Sequence, residues 1–130
     1  MSAPTRVLVV DDDTTIRDVI ALALSDAGYE VIEANDGAAA LALVRQRPPD
    51  VILLDMRMPI MDGWEFAQAY RHLPGPHAPV IVVTAASDPA ERAAEIKADG
   101  YLAKPFQLDD LYACVEQYAG WRGVALGSER

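Results

Sequence analysis

Short apolar runs alternate with amphipathic segments along nearly the whole chain. Several runs carry no polar residue, as is typical of parallel strands whose two faces are both covered. Between the runs, apolar residues recur every three or four positions, which predicts helices with one buried face. The predicted strands are Arg6–Val10, Tyr29–Ala34, Asp50–Leu54, Pro79–Val83 and Tyr101–Ala103. The predicted helices are Ile16–Ala27, Ala38–Gln46, Gly63–His72, Pro89–Ala98 and Leu108–Tyr118.

Residues that favour helix ends support these boundaries. Asp13 or Thr14 is expected to cap the first helix, and for Asp13 we favour capping over metal binding. Gly28 is expected to stop that helix, and Asp88 has the pattern of a cap for the fourth. The predicted inner stripe of the last helix comprises Leu108, Leu111, Tyr112, Val115 and Tyr118.

The alternation of five strands with five helices predicts an α/β domain. Its parallel sheet should carry helices on both faces, joined by right-handed crossovers. The domain is predicted to span residues 5–119, with Gly120 stopping the last helix. Residues 120–130 show no periodicity, and we expect them to form a mostly flexible tail.

Composition restricts the class of partner. The chain has 130 residues and a net charge of −9, which argues against direct nucleic-acid binding and fits cations or basic partners. Its single cysteine, Cys114, is expected to be a small buried hydrophobe. No signal-peptide core or apolar run of membrane-spanning length is evident, so we expect a cytoplasmic protein without membrane contact.

Polar residues follow the predicted strands at the points where they end. The first strand leads into Asp11, Asp12 and Asp13, and the third leads into Asp55. Thr84 and Lys104 follow the fourth and fifth strands. Because the carboxyl ends of parallel strands share one edge of the sheet, and ligands bind at that edge, we expect these groups to meet there.

Those groups suit phosphoryl transfer. Clustered carboxylates repel one another unless a cation lies among them, and oxygen ligands favour Mg²⁺, with Mn²⁺ as a substitute. Asp55 would be the nucleophile that forms an acyl phosphate. Lys104 would bind one phosphoryl oxygen and Thr84 would donate a hydrogen bond to another. His72 and His77 are expected at the opposite edge of the sheet, away from this chemistry.

The chain resembles the receiver domain of two-component response regulators over residues 5–119. The resemblance implies a flavodoxin-like doubly wound (βα)5 fold with strand order 2-1-3-4-5. The motifs that carry it are Val10-Asp11-Asp12, Asp55 with Met58-Pro59 and Met61-Asp62-Gly63, Thr84-Ala85, and Lys104-Pro105-Phe106.

The resemblance also implies site roles. Asp55 would be the phosphoacceptor, and Asp11 and Asp12 would hold Mg²⁺ together with Asp55 and the backbone carbonyl of Arg57. Thr84 and Tyr101 would form the pair of switch residues. Lys104 would be the phosphoryl clamp, with a cis bond to Pro105.

Partners follow from the same resemblance. The phosphodonor would be a histidine kinase or a phosphotransfer protein. The output would be a changed surface formed by the fourth helix, fifth strand and fifth helix, which contacts an unknown downstream protein. The expected state is a monomer or a weak phosphorylation-dependent dimer.

Two departures from the family pattern stand out. The segment from Thr84 to Lys104 is short, which predicts a shortened or shifted fourth helix. Arg57 and Ala86 occupy positions that in the family tune the access of water to the phosphoryl group, so they should alter its lifetime.

Alternatives remain at this stage. Asp11 and Asp13 also fit the first motif of haloacid-dehalogenase-type phosphatases, in which they would be the nucleophile and the acid/base. The chain could also be a receiver-like module that binds partners without phosphorylation. Tyr101 could be a simple core residue, and Asp62-Gly63 a simple turn.

Overall fold

The computed structural model describes residues 3–119 and contains a five-stranded parallel sheet in the order β2-β1-β3-β4-β5. The strands are β1 (Arg6–Val10), β2 (Glu30–Ala34), β3 (Val51–Leu54), β4 (Val80–Thr84) and β5 (Gly100–Ala103). The helices are α1 (Thr14–Asp26), α2 (Gly37–Gln46), α3 (Gly63–Arg71), α4 (Pro89–Glu95) and α5 (Leu108–Ala119). The predicted fold class and strand order are therefore confirmed. The predicted tail, with Gly120 and Trp121, lies outside the described residues.

Two apolar clusters cover the two faces of the sheet. Leu8, Ile52 and Leu54 face a cluster that includes Phe66 of α3. The intervening strand residues face a second cluster, built from α1 and α5; its members include Val7, Val9, Leu53, Ile20, Leu24, Leu111 and Val115. Because successive strand residues point to opposite faces, both must be apolar, which explains the unbroken apolar runs in the sequence.

Aspartates precede α1 and α4 at the predicted cap positions, but only one of them caps its helix through its side chain. The Asp13 carboxylate accepts from the N–H groups of Thr15 (3.0 Å) and Ile16 (3.2 Å), so the capping prediction is confirmed. Asp88 precedes α4 and Pro89 is its first residue, so the predicted helix start is confirmed, but the Asp88 carboxylate makes no capping hydrogen bond. The physical cause is local, because the Glu91 N–H is bonded to the Asp88 carbonyl at 3.1 Å.

Asp62 does more than form a turn. Its carboxylate accepts from the Glu65 N–H at 2.9 Å, and the Glu65 carboxylate accepts from the Asp62 N–H at 3.0 Å. This reciprocal capping box satisfies two donors at the start of α3. The helix start at Gly63 was predicted, but the interpretation of Asp62-Gly63 as a simple turn missed the capping role of Asp62.

The fourth helix has seven residues and is the shortest of the five described helices. It ends at Glu95 instead of near Ala98, because Lys97 adopts φ 54°. The N–H groups of Lys97 and Ala98 bond to the carbonyls of Ala94 (3.1 Å) and Ala93 (2.9 Å). This pattern is a Schellman motif with lysine where glycine is usual.

Helix α3 holds the short α4 in place. The Trp64 indole N–H donates to the Glu95 carboxylate at 2.8 Å. The Arg71 guanidinium donates to the carbonyls of Ile96 and Lys97, which follow the end of α4. The Arg71 contacts supply donors to two carbonyls just past the end of α4.

The last helix departs in part from its predicted stripe. Leu111 and Val115 are fully buried, but Leu108, the first residue of α5, is 43% exposed and does not join the apolar cluster. Tyr118 donates its hydroxyl to the Asp99 carbonyl at 2.8 Å. Cys114 is half-buried, and burial raises the pKa of its thiol.

Candidate functional site

The carboxyl edge of the sheet brings the predicted site residues together. The Lys104 Nζ lies 2.9 Å from Asp11 Oδ2 and 3.7 Å from Asp55 Oδ1. Backbone bonds beyond the strand ends fix these positions: the Asp55 N–H donates to the Val10 carbonyl (2.9 Å) and the Lys104 N–H to the Thr84 carbonyl (2.8 Å). The Lys104–Pro105 peptide bond is cis, as predicted.

Asp11 is buried and fully engaged. It is 2% exposed, and its Oδ1 accepts from the Asp13 N–H at 2.9 Å while its Oδ2 accepts from Lys104. Its own N–H donates to the Ala34 carbonyl at 3.1 Å. Its carbonyl accepts from Arg17 Nη1 at 2.7 Å, a contact that sequence reasoning missed entirely.

Three carboxylates form a cluster that fits a divalent cation. Asp11, Asp12 and Asp55 each offer an oxygen, and these oxygens lie within 4.8 Å of one another. Asp12 is exposed, whereas Asp11 is buried and the Asp55 side chain is only 12% exposed. Carboxylate oxygens are the ligands that Mg²⁺ and Mn²⁺ prefer.

The electrostatics of Asp55 support the same conclusion. Burial, with added repulsion from Asp11, raises the pKa of Asp55 to about 6, against the attraction of Lys104. The Lys104 ammonium alone therefore does not offset the negative charge of the three clustered carboxylates. A cation among the three carboxylates would lower this cost.

Lys104 remains protonated at this edge. Burial by itself lowers the pKa of its ammonium, but the hydrogen bond to Asp11 and the charge of Asp55 outweigh burial, and the pKa is raised. The side chain is 13% exposed. It is therefore a fixed positive charge between two carboxylates.

Thr84 and Tyr101 differ in their surroundings. Thr84 is buried at the end of β4, and its Oγ1 accepts from the Ala86 N–H at 3.1 Å. Tyr101 is 50% exposed, so its interpretation as a simple core residue is wrong. It lies in β5 opposite Val82 of β4. Its role as a switch partner of Thr84 stays a prediction.

The two histidines lie away from the carboxylate cluster, as expected. His72 and His77 flank the α3–β4 connection, at the amino end of β4. The His77 ring packs against Tyr70 with ring centroids 4.9 Å apart. The His72 ring nitrogen Nδ1 lies 2.8 Å from the Gln68 carbonyl.

The loop after Asp55 contains a strained turn. Ile60 has φ 70° and is 82% exposed, and the Met61 N–H bonds to the Pro59 carbonyl at 2.7 Å. This is the strained form of the three-residue γ-turn, which is unfavourable for a β-branched side chain. Arg57, in the same loop, is exposed.

Replacement of Ile60 by glycine is expected to stabilise the protein by about 0.5–1 kcal/mol. Glycine removes a left-handed backbone cost of about 1–2 kcal/mol and adds unfolded-state entropy worth roughly 0.5–1 kcal/mol. Urea unfolding measures the difference. Ile60→Val keeps the β-branch and should leave the midpoint unchanged. A glycine variant no more stable than the valine variant would show that the strain in this turn does not exceed the entropy cost of glycine.

Comparisons with known proteins agree with this geometry. The family model described as "Response regulator receiver domain" matches residues 7–116. The chain is 43% identical over 112 residues to the "Response regulator MprA" of Mycobacterium sp. (strain KMS), covering 85% of this chain and 48% of that protein. It thus spans about half the length of the curated relatives it matches.

Solved structures show the same fold. The chemotaxis response regulator CheY4 of Vibrio cholerae superposes with a TM-score of 0.82 at 37% identity, covering 89% of this chain and 99% of that one. A putative response regulator from Chloroflexus aurantiacus superposes with a TM-score of 0.83 at 34% identity, covering 91% and 99%.

The family match identifies a signalling domain rather than a classical enzyme. The chain belongs to the response regulator receiver domain family of two-component systems. Within residues 3–119, no helix is long and apolar enough to cross a membrane.

Proposed function

We propose that this chain is a phosphorylatable switch that accepts a phosphoryl group on Asp55. The observation that carries the proposal is the position of the Lys104 ammonium between the carboxylates of Asp11 and Asp55. Asp55 is the carboxylate of the cluster that combines partial exposure with a strand-end position, whereas Asp11 is buried and bonded on both oxygens.

The chain's residues account for the chemistry. Above its pKa of about 6, Asp55 is ionised, and a carboxylate oxygen attacks phosphorus while the bond from phosphorus to the donor breaks. Lys104, whose Nζ lies 3.7 Å from Asp55 Oδ1, would bind one oxygen of the new acyl phosphate, and the Thr84 hydroxyl would donate to another. Asp11, Asp12, Asp55 and the Arg57 carbonyl would hold Mg²⁺, which when bound offsets charge between carboxylate and phosphoryl oxygens.

The output surface would be the face formed by α4, β5 and α5. A groove of about 700 Å³ opens there, lined by residues that include Ala94, Tyr101 and Tyr118. Phosphorylation adds charge near Thr84, and the switch would couple this charge to the exposed Tyr101. Helix α4 contributes seven residues to this face and α5 contributes twelve.

The proposed partners follow the family. The phosphodonor would be a histidine kinase or a phosphotransfer protein, and the output an unknown downstream protein in the cytoplasm. We propose no direct contact with nucleic acid or membrane, and a monomer or a weak phosphorylation-dependent dimer.

The family assignment and the geometry both argue against the phosphatase alternative. Asp13, its supposed acid/base, accepts two backbone N–H groups at the start of α1. That role leaves it as a structural cap.

The test is phosphoryl uptake from a small phosphodonor. Phosphoramidate with Mg²⁺ should add the mass of one phosphoryl group, chelation of Mg²⁺ should prevent it, and peptide mapping after borohydride reduction should place it on Asp55. Label on Asp11 would favour the phosphatase. Absence of uptake by a folded protein that binds Mg²⁺ would favour a module that acts without phosphorylation.

A further inference from the structure

We propose that Arg17 is a positioning residue for the acidic cluster. Its guanidinium fixes the peptide unit between Asp11 and Asp12 and so sets where the Asp12 carboxylate lies. The inference rests on the proposed function, because the cluster is taken to bind Mg²⁺.

Arg17 makes two directed contacts from α1. Its Nη1 donates to the Asp11 carbonyl at 2.7 Å, and its Nε donates to the Glu33 carboxylate at 3.1 Å. The side chain is only 16% exposed. An ordinary surface ion pair would leave the guanidinium in water and contribute about 0–1 kcal/mol.

The sheet explains why a side chain is needed at this point. Asp11 follows the end of β1, and its N–H uses the carbonyl of Ala34, the last residue of β2. The neighbouring strand ends there, so the described ladder supplies no further donor for the Asp11 carbonyl on that side. A buried carbonyl without a donor costs about 1–3 kcal/mol, and Arg17 supplies the donor.

The consequence for the cluster follows from peptide planarity. The Asp11 carbonyl and the Asp12 N–H belong to one rigid plane. Asp11 is already held through both carboxylate oxygens and its N–H. Asp12 is exposed, so the direction of its side chain depends on that plane more than on packing.

Glu33 completes the arrangement. It lies in β2, opposite Val9 of β1, and its carboxylate orients the guanidinium toward the Asp11 carbonyl. A planar guanidinium can serve both acceptors at once, whereas an ammonium presents a single point of charge. Arg17→Lys should therefore restore the function only in part.

The experiment measures metal binding directly. Binding of Mn²⁺ is followed by the electron paramagnetic resonance signal of the free ion, in the full chain and in the Arg17→Met, Arg17→Lys and Glu33→Gln variants. We expect Arg17→Met to weaken Mn²⁺ binding about tenfold, in the range typical of groups that orient metal ligands. Arg17→Lys and Glu33→Gln should each cause a smaller loss.

A matched control is available at the same strand. Arg47→Met removes an ion pair with Glu30 of β2 and leaves the Asp11 carbonyl untouched, so its Mn²⁺ affinity should equal that of the parent. Phosphoryl uptake from phosphoramidate adds a second readout. Saturating Mg²⁺ should restore the rate in Arg17→Met, because the loss lies in metal affinity and not in the reacting groups.

The outcomes separate this inference from the proposed function. If the parent binds Mn²⁺ and Arg17→Met binds it equally well, Arg17 is a structural ion pair even if its loss lowers stability. If Arg17→Met does not fold, Arg17→Lys and Glu33→Gln decide together, and parent affinity in both overturns the inference. If the parent neither binds Mn²⁺ nor takes up phosphoryl groups, the proposed function fails and the inference falls with it.

Discussion

Asp55→Asn is expected to abolish phosphoryl uptake. The amide nitrogen and oxygen are poor nucleophiles, and Asp11, the acid that shares Lys104 with Asp55, is not free to substitute for the lost carboxylate. Asp11 is buried and both of its oxygens accept hydrogen bonds. Uptake from phosphoramidate, followed by intact mass, should fall by at least about a hundredfold, comparable with removal of a covalent nucleophile.

The same substitution should change how stability depends on pH. The folded-state pKa of Asp55 is raised from 3.8 to about 6, so the ionised carboxylate destabilises the metal-free fold above that pKa. The penalty is relieved as pH falls through about 6 and is absent below 3.8. Well above the pKa, Asp55→Asn should therefore be more stable than the parent by about 1–2 kcal/mol, after a discount for solvent screening. This advantage should vanish near the unperturbed value.

Urea unfolding with a chelator present, once well above pH 6 and once near pH 3.8, measures the difference in stability at both limits. Asp109→Asn, which replaces an exposed acid in the first turn of α5, is the matched control and should leave phosphoryl uptake unchanged. Added Mg²⁺ should reverse the order of stability, because it binds the folded parent better than the variant. Uptake that survives in Asp55→Asn would place the acceptor elsewhere.

Much of the fold follows from the sequence pattern. Val51–Leu54 has no polar residue, which predicts burial on both faces, and the structure packs its residues alternately into the two clusters. The strand-end groups were also predictable. Parallel strands must bring Asp11, Asp55 and Lys104 to one edge, whatever the details of the loops.

The missed features depend on contacts that sequence spacing does not encode. Arg17 lies on the polar side of α1 in the sequence and is recognisable only once β2 ends at Ala34 beside it. The γ-turn at Ile60 contradicts the residue's own preference, because the bonds that flank it impose the conformation. Asp88 stands at the cap position of α4, but its carboxylate makes no cap, because the Glu91 N–H is already bonded to the Asp88 carbonyl.

Gly63 is recognisable in the sequence as a helix start, but only the structure explains why it must be glycine. It starts α3, and its N–H donates to the Met56 carbonyl at 2.9 Å. A Cβ at this position would lie 2.8 Å from the Asp55 carbonyl oxygen and 2.8 Å from the Met56 Cα. Backbone atoms cannot move aside as a flexible side chain can, so this close approach requires glycine. It brings the start of α3 against Asp55, the proposed phosphoacceptor.

Gly63→Ala is therefore expected to destabilise the protein by about 3 kcal/mol, the upper part of the range for overpacking. It should also slow phosphoryl uptake by about tenfold, because a displaced Asp55 loses its alignment with Lys104. Urea unfolding and phosphoramidate uptake, measured where the variant remains folded, test the two effects separately.

Gly28→Ala is the matched control, since it tests the opposite reason for a glycine. Gly28 has φ 99°, and a Cβ added there would have no heavy atom of the described residues within 4 Å. Alanine at this position therefore costs about 1 kcal/mol of backbone strain but creates no steric clash with the described residues. Its uptake rate should equal that of the parent, because it follows α1 at the edge of the sheet opposite Asp55. Equal losses of stability in the two variants would mean that the close approach at Gly63 is relieved at little cost. Normal uptake in Gly63→Ala would mean that α3 can move without moving Asp55.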